Sequence, residues 1–441
     1  MTQLNLRKLH IKKHPFVKYL AYFIFIMPFL LSFLLDIVHL PSVLKYTIDA
    51  AWAIAVVLLF FKRRVVFDRN LLPFLVFIGG FFLYTLIVYL FSYQSVLYFL
   101  WGFRNNFRFF FAFIIFCMLF TEEDADFCFK FLSVLFWINV AVSLFQFFVL
   151  GFEQDYLGGI FGTEKGCNGY SIAFFSIVLS RSILLFMSKK ESAVSCSIKC
   201  FATLVIAAMA ELKYFFVIFA IILLLAAVLT SFSWRKVLII LFSALLISFS
   251  SSILTQLFGE DMALSWDSIV DFITTSNYSS EEDLSRFTAI PTLSRTIMDG
   301  PVEKLFGLGL GNCDTSTFDM FNTPFYQTYS FLHYNWFSSA LLFLETGYVG
   351  LTIYLLFFVM CFAFAYKQKK REGSNTLFCQ MAMIMSVICV TLTFYNGSLR
   401  FEVAYMIYFV LALPLVNSRD MIKTPLYTRS NKKEALYTHH R

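Results

Sequence analysis

The chain has 441 residues, of which 59% are hydrophobic and 14% charged, and its formal net charge is +7. A soluble domain carries roughly a quarter charged residues and a single core stops growing at roughly 250–300 residues, so the 59 phenylalanines exclude a water-soluble fold. The lysines and arginines fall in short stretches between apolar runs and form no single basic face, which excludes a nucleic-acid binder.

A bilayer span needs ~20 mostly apolar residues. Taken from the N-terminus, such runs lie near 17–35, 46–61, 72–92, 105–120, 127–150 and 169–187, then near 199–211, 213–231, 237–256, 336–366, 376–395 and 401–416. The first, from Val17, is too long for a cleavable signal peptide and lacks a small-residue cleavage site, so it reads as a retained span. Glu211 and Lys213 divide the 199–231 stretch, because a charge pair in mid-membrane is costly. Glu211-Leu212-Lys213 therefore reads as a tight turn at a membrane surface. The expectation is an all-α polytopic integral membrane protein of about twelve helices, with its phenylalanines filling lipid-facing positions.

Lys and Arg collect in short cytoplasmic loops. Arg7, Lys8, Lys12, Lys13 and Lys18 place the N-terminal tail inside, and Arg419, Lys423, Lys432 and Lys433 place the C-terminal tail there too. Counting alternate loops, Lys62-Arg63-Arg64, Lys189-Lys190, Arg235-Lys236 and Lys367 to Arg371 are inside. The acidic 121–126 loop also falls inside and breaks the rule. Outside lie the loops near 36–45, 93–104, 151–168, 211–213, 257–335 and 396–400. The chain thus divides into an N-terminal bundle over 1–256 with about nine spans, a large periplasmic loop over 257–335, about three spans over 336–416, and a cytoplasmic tail over 417–441.

The long loop carries eleven acidic residues against Arg286, Arg295 and Lys304. Its apolar residues Phe287, Ile290, Leu293 and Ile297 recur near helical spacing, which predicts an amphipathic helix around 283–299. Arg286 suits phosphate oxygens, since a guanidinium fork binds them bidentately; equally, it balances Glu281, Glu282 and Asp283 on a solvated face. Gly307, Gly309 and Gly311 have the spacing G-x-G-x-G, which is not a nucleotide fingerprint. They let backbone approach a ligand or another helix closely. His333 sits where loop meets lipid, either as a proton carrier and phosphate partner or as part of an aromatic belt with Tyr334 and Trp336. Arg104 and Arg108 flank the start of the fourth span, one helical turn apart, where snorkelling explains them. Lys165, Lys213 and Arg400 add cations to the outer face, against the usual bias, and point to an anionic ligand there. Cys167 and Cys313 fall in outer loops, and a disulfide between them stays open. No Cys/His cluster has metal-site spacing, so no metal or cofactor is expected.

These features resemble the O-antigen polymerase and ligase superfamily of membrane glycosyltransferases (Wzy-type). The topology matches over most of the chain, and the motifs over roughly 158–216 and 284–352. The Gly-rich turn ending in Asn168-Gly169-Tyr170 is similar to the family's segment before its middle spans. Glu211-Leu212-Lys213-Tyr214 resembles its short Thr/Ser-Arg turn, with Lys213 in place of the arginine. Arg286, Phe306 to Gly311, His333-Tyr334-Asn335 and Glu345-Thr346-Gly347-Tyr348-Val349-Gly350 follow in the family's order. The resemblance implies a metal-independent, multi-pass enzyme of the bacterial inner membrane. It would polymerise repeat units carried on undecaprenyl pyrophosphate into O-antigen or a related surface polysaccharide, possessing as partners the glycan-lipid, the bilayer and a chain-length regulator. Arg286, Lys213, Arg295 and Arg400 would hold pyrophosphate, with Arg104, Arg108, Gly307, Gly309, Gly311 and Asn335 nearby. His333 would act as base or join the clamp. The alternatives are the ligase that moves finished polymer onto lipid A core, and a multi-span transporter or flippase.

Overall fold

The computed structural model describes residues 15–61, 69–231, 233–258, 284–316 and 318–423, and every regular element among them is helical. The helices are α1 (Pro15–Ser32), α2 (Tyr46–Phe61), α3 (Leu72–Ser92), α4 (Val96–Leu119), α5 (Glu122–Phe148), α6 (Asn168–Met187), α7 (Ala193–Met209), α8 (Lys213–Leu229) and α9 (Trp234–Phe258). The long loop contributes α10 (Ala289–Thr296), α11 (Pro301–Phe306) and α12 (Pro324–Tyr329). Then come α13 (Ser338–Lys369), α14 (Thr376–Tyr395) and α15 (Ala404–Lys423). Eight helices are long and apolar enough to cross a membrane, and Phe16–Leu31, Ala193–Met209, Lys213–Leu229 and Ala404–Arg419 are shorter apolar helices. This is the make-up of an all-helical polytopic membrane protein. The loop residues 259–283, the Lys62-Arg63-Arg64 triplet and most basic residues of both tails lie outside the described residues.

Local chemistry sets the helix ends. The Thr121 hydroxyl caps α5 by accepting from the Asp124 backbone N–H, and the Thr121 backbone N–H donates to the Asp124 carboxylate, closing a capping box. Glu122, Glu123 and Asp124 in that first turn suit the positive end of the helix dipole. The acidic loop that breaks the charge rule is therefore a helix start, and its Asp124 pairs with Lys18 of α1 at 2.5 Å. The break at 210–212 is the tight turn read from the sequence, with Glu211 at φ 53°. The amphipathic helix of the long loop is shorter than expected: α10 buries Ala289, Leu293 and Ser294 and exposes Arg295.

Two expectations change. The fourth span begins at Val96, ahead of 105, so the 93–104 loop shrinks and Arg104 and Arg108 lie well inside α4. The phenylalanines are more often inside than on the lipid face. Phe25, Phe116, Phe120, Phe129 and Phe409 form one buried group, and Phe74, Phe110, Phe113 and Phe357 another, with ring centres 4.8–6.5 Å apart at mostly steep angles. Lipid tails are as apolar as leucine, so association inside a bilayer relies on packing, and edge-to-face rings fill wide gaps between helices. The central helices are α4, α6, α14 and α15, while α2, α3, α5 and α9 expose apolar side chains such as Ile54, Leu90, Val134 and Leu245.

Contacts sort the connections into two ends. At one end Asn417 bonds Glu122, Arg419 bonds the carbonyls of Cys117, Met118 and Phe120, Lys369 bonds Leu229 and Arg235 bonds Phe186. At the other end the segments 151–168, 210–213, 284–337 and 396–403 meet one another. Helix α13 is broken at Gly347, whose φ of 63° no helix allows. The preceding half, Ser338 to Thr346, is wholly buried.

Candidate functional site

Arg286 leaves the turn before α10 and is 9% exposed. Its guanidinium lies 4.5 Å from the Tyr395 ring centre, and Tyr395 stacks on Tyr214 at 4.1 Å and 14°. Burial pulls the Arg286 guanidinium downward, and the charges of Tyr395 and Asp155 oppose that. Lys213 lies 3.6 Å from Glu211 in the tight turn. Burial raises the Glu211 carboxyl above its ordinary value, against the pull of Lys213 and Arg286. Asn168 ties the group together, donating to Asp155 at 3.1 Å and to the Ala210 carbonyl at 3.1 Å. Segments from the middle loop, the α7–α8 turn, the long loop and the end of α14 thus converge on two cations, two carboxylates and two stacked tyrosines.

A second group surrounds α4. Arg104 donates to Asp49 at 2.6 and 3.0 Å and to Asn105 at 2.6 Å. Arg108, 3% exposed, donates to Glu402 at 3.0 Å and to the Arg400 carbonyl at 2.7 Å. Arg400 in turn donates to Asp314 at 2.7 Å, and Asn105 donates to the same carboxylate oxygen at 2.7 Å. Burial would raise the Glu402 carboxyl, but Arg108, a backbone hydrogen bond and Arg104 together outweigh it and hold the carboxyl below its ordinary value. Snorkelling does not describe Arg104 and Arg108. They are paired inside the bundle, because a buried charge needs a partner.

The glycine run serves close backbone packing. Leu308 and Gly309 donate N–H bonds to the Leu344 and Glu345 carbonyls at 2.8 and 3.0 Å, capping the first half of α13 at its break. On the other side Gly311, at φ 81°, lies against Gly102 of α4, where a Cβ would fall 2.5 Å from the Gly311 Cα. Of the two uses open to these glycines, approach to helices is the one observed. Just beyond, Glu345 is fully buried, and the backbone N–H groups of Gly311 and Cys313 approach its carboxylate.

His333 sits between two short turns at φ 50° and stacks on Trp336 at 4.1 Å, and Lys165 lies 5.8 Å from the Trp336 ring centre. Asn335 is half-buried beside it. Arg295 is exposed on α10 and has no ion pair among the described residues. The structure therefore joins Arg286 to Lys213, and Arg400 to Arg104 and Arg108 through Asp314 and Asn105. His333 is joined instead to Trp336 by ring stacking. Cys167 and Cys313 are both buried, and no disulfide joins them. Among the described residues no group of His, Cys, Asp or Glu side chains is arranged to hold a metal ion.

Sequence reasoning missed Asp49, Asp155, Asp314, Tyr395 and Glu402, and named Glu345 only as part of a motif. Glu345 and Tyr395 carried a signal, standing in the Glu-Thr-Gly motif and at the end of an apolar run. No family model matches the chain, and no curated protein matches it.

Proposed function

We propose that the protein polymerises glycan repeat units carried on undecaprenyl pyrophosphate, at the periplasmic face of a bacterial inner membrane. In this reading the eight long and four shorter apolar helices make twelve spans, the basic-loop end faces the cytoplasm, and the long loop is periplasmic. One observation carries it: Arg286 is brought beside the Glu211–Lys213 turn and Tyr395, at the end opposite the basic loops. The order of the sequence motifs supplies the substrate class.

The step breaks the bond between the sugar anomeric carbon and the pyrophosphate oxygen, and forms one from that carbon to an acceptor hydroxyl. Charge grows on the leaving pyrophosphate, and cations placed there favour the transition state. Lys213 and Arg286 supply them. Glu211, already raised by burial, takes up a proton as the anion arrives and leaves both cations available. His333 accepts the acceptor's proton or adds to the clamp. Arg104, Arg108 and Arg400 are committed to carboxylates and hold the frame.

The test is a silver-stained lipopolysaccharide gel from a strain lacking the gene, complemented with wild type, R286A or H333A at equal protein level. Core plus one repeat unit in the deletion and in both variants supports a polymerase. Bare core in the deletion indicates the ligase, and a full ladder from both variants removes the assignment.

A second reading, a transporter, draws on the α13 break, because transporters place buried ionisable groups at broken helices. Proteoliposomes would decide it. Uptake of a labelled substrate with loss in E345Q, and no glycan product, would favour transport.

A further inference from the structure

We propose that a polar cavity at the basic-loop end, remote from the site above, binds a phosphate-bearing anion. The cavity has a volume of about 560 Å³ and is built from the α6–α7 turn, the end of α8 and the α13–α14 turn. That size falls within the range of small-molecule sites and exceeds a bare phosphate, so the ligand carries an attached alcohol.

Its lining is built to meet oxygen anions. Lys190 is exposed at the rim, and its ammonium has no partner among the described residues. Lys369 lies opposite, anchored to the Leu229 carbonyl, which Gln380 also bonds at 2.7 Å. The first turn of α14, a helix of 20 residues, opens into the same space. Its Phe378 N–H is taken by the Asn375 cap, whereas the N–H groups of Thr376 and Leu377 have no acceptor among the described residues. The one lining carboxylate, Glu122, is held by Asn417 at 2.5 Å. Two ammonium groups and two N–H groups approach from several sides, which suits the tetrahedral oxygens of a phosphate group better than a planar carboxylate. Two sources present that chemistry at this end of the bundle: the headgroup of an anionic phospholipid, or a soluble phosphate ester.

The experiment uses the full chain, purified in a zwitterionic detergent, and follows its thermal unfolding midpoint. One arm titrates glycerol 3-phosphate, and the other compares phosphatidylcholine vesicles with and without phosphatidylglycerol. Saturable stabilisation is expected in at least one arm, and the responding arm names the source. Lys190→Glu should weaken the apparent affinity about tenfold or more, the size of one lost charge-assisted contact. Lys304→Glu, in α11 at the other end, should leave it unchanged. No saturable stabilisation in either arm, or equal stabilisation of wild type and Lys190→Glu, would overturn the proposal.

Discussion

The Arg286 guanidinium lies over the face of Tyr395, 4.5 Å from the ring centre, and Tyr395 is itself sandwiched against Tyr214. A loop residue and the last residue of a span are thereby fixed to each other. A desolvated pair of this kind contributes about 2 kcal/mol. Under the proposed polymerase reading, Tyr395→Phe keeps the face and should retain most polymer formation. Tyr395→Ala should lower the polymerisation rate about 30-fold, read from ladder accumulation after induction. Equal rates in the two variants would remove Tyr395 from the site.

Arg108 and Glu402 form a buried pair, with side-chain exposures of 4% and 17%. Removing one partner strands the other charge. Arg108→Met should therefore lower stability by about 3 kcal/mol. The double variant Arg108→Met/Glu402→Met should recover much of that loss, because neither charge is left buried. Detergent-solubilised unfolding midpoints of wild type, single and double variants give the answer.

Gly102 and Gly311 touch backbone to backbone, and Gly311 also needs positive φ. Gly311→Ala meets both a collision and about 1–2 kcal/mol of left-handed strain. Little folded protein should be recovered, as judged by size-exclusion chromatography. Gly300→Ala has open space around its Cβ and should behave as wild type.

The Glu211 carboxyl is raised above its ordinary value of 4.5 by burial, so the folded protein holds its proton to higher pH than the unfolded chain does. Between 4.5 and the raised value, stability falls as pH rises. In the proposed mechanism the protonated form frees Lys213, so donor binding strengthens as pH drops through that window. Glu211→Gln should flatten this pH dependence of KM for the glycan-lipid. A slope unchanged in the variant would exclude the role.

The apolar runs made the spans legible, since ~20 apolar residues have few other fates. The Glu211–Lys213 turn was legible because two charges interrupted such a run. The start of α4 was hidden for the converse reason: Arg104, Asn105, Asn106 and Arg108 lower the apolarity around 104–108, so the span reads as starting at 105 and Arg104 as loop, and only their partners make these polar groups tolerable well inside a helix. Asp314 stands 209 residues from Asn105, and Glu402 stands 294 from Arg108. No local pattern carries such a pairing. The break in α13 had a visible glycine, but the loop backbone that caps it was recognisable only in three dimensions.

The separation between Arg108 and Glu402 also bears on biogenesis. At about 5–20 residues per second, the ribosome delivers Glu402 about 15–60 s after Arg108, across the 294 residues between them. During that interval Arg108 lacks its Glu402 partner, and Asp49 of α2 is a carboxylate already made that acts on it. Chains that stop short of Glu402 therefore leave α4 with an incompletely neutralised buried guanidinium.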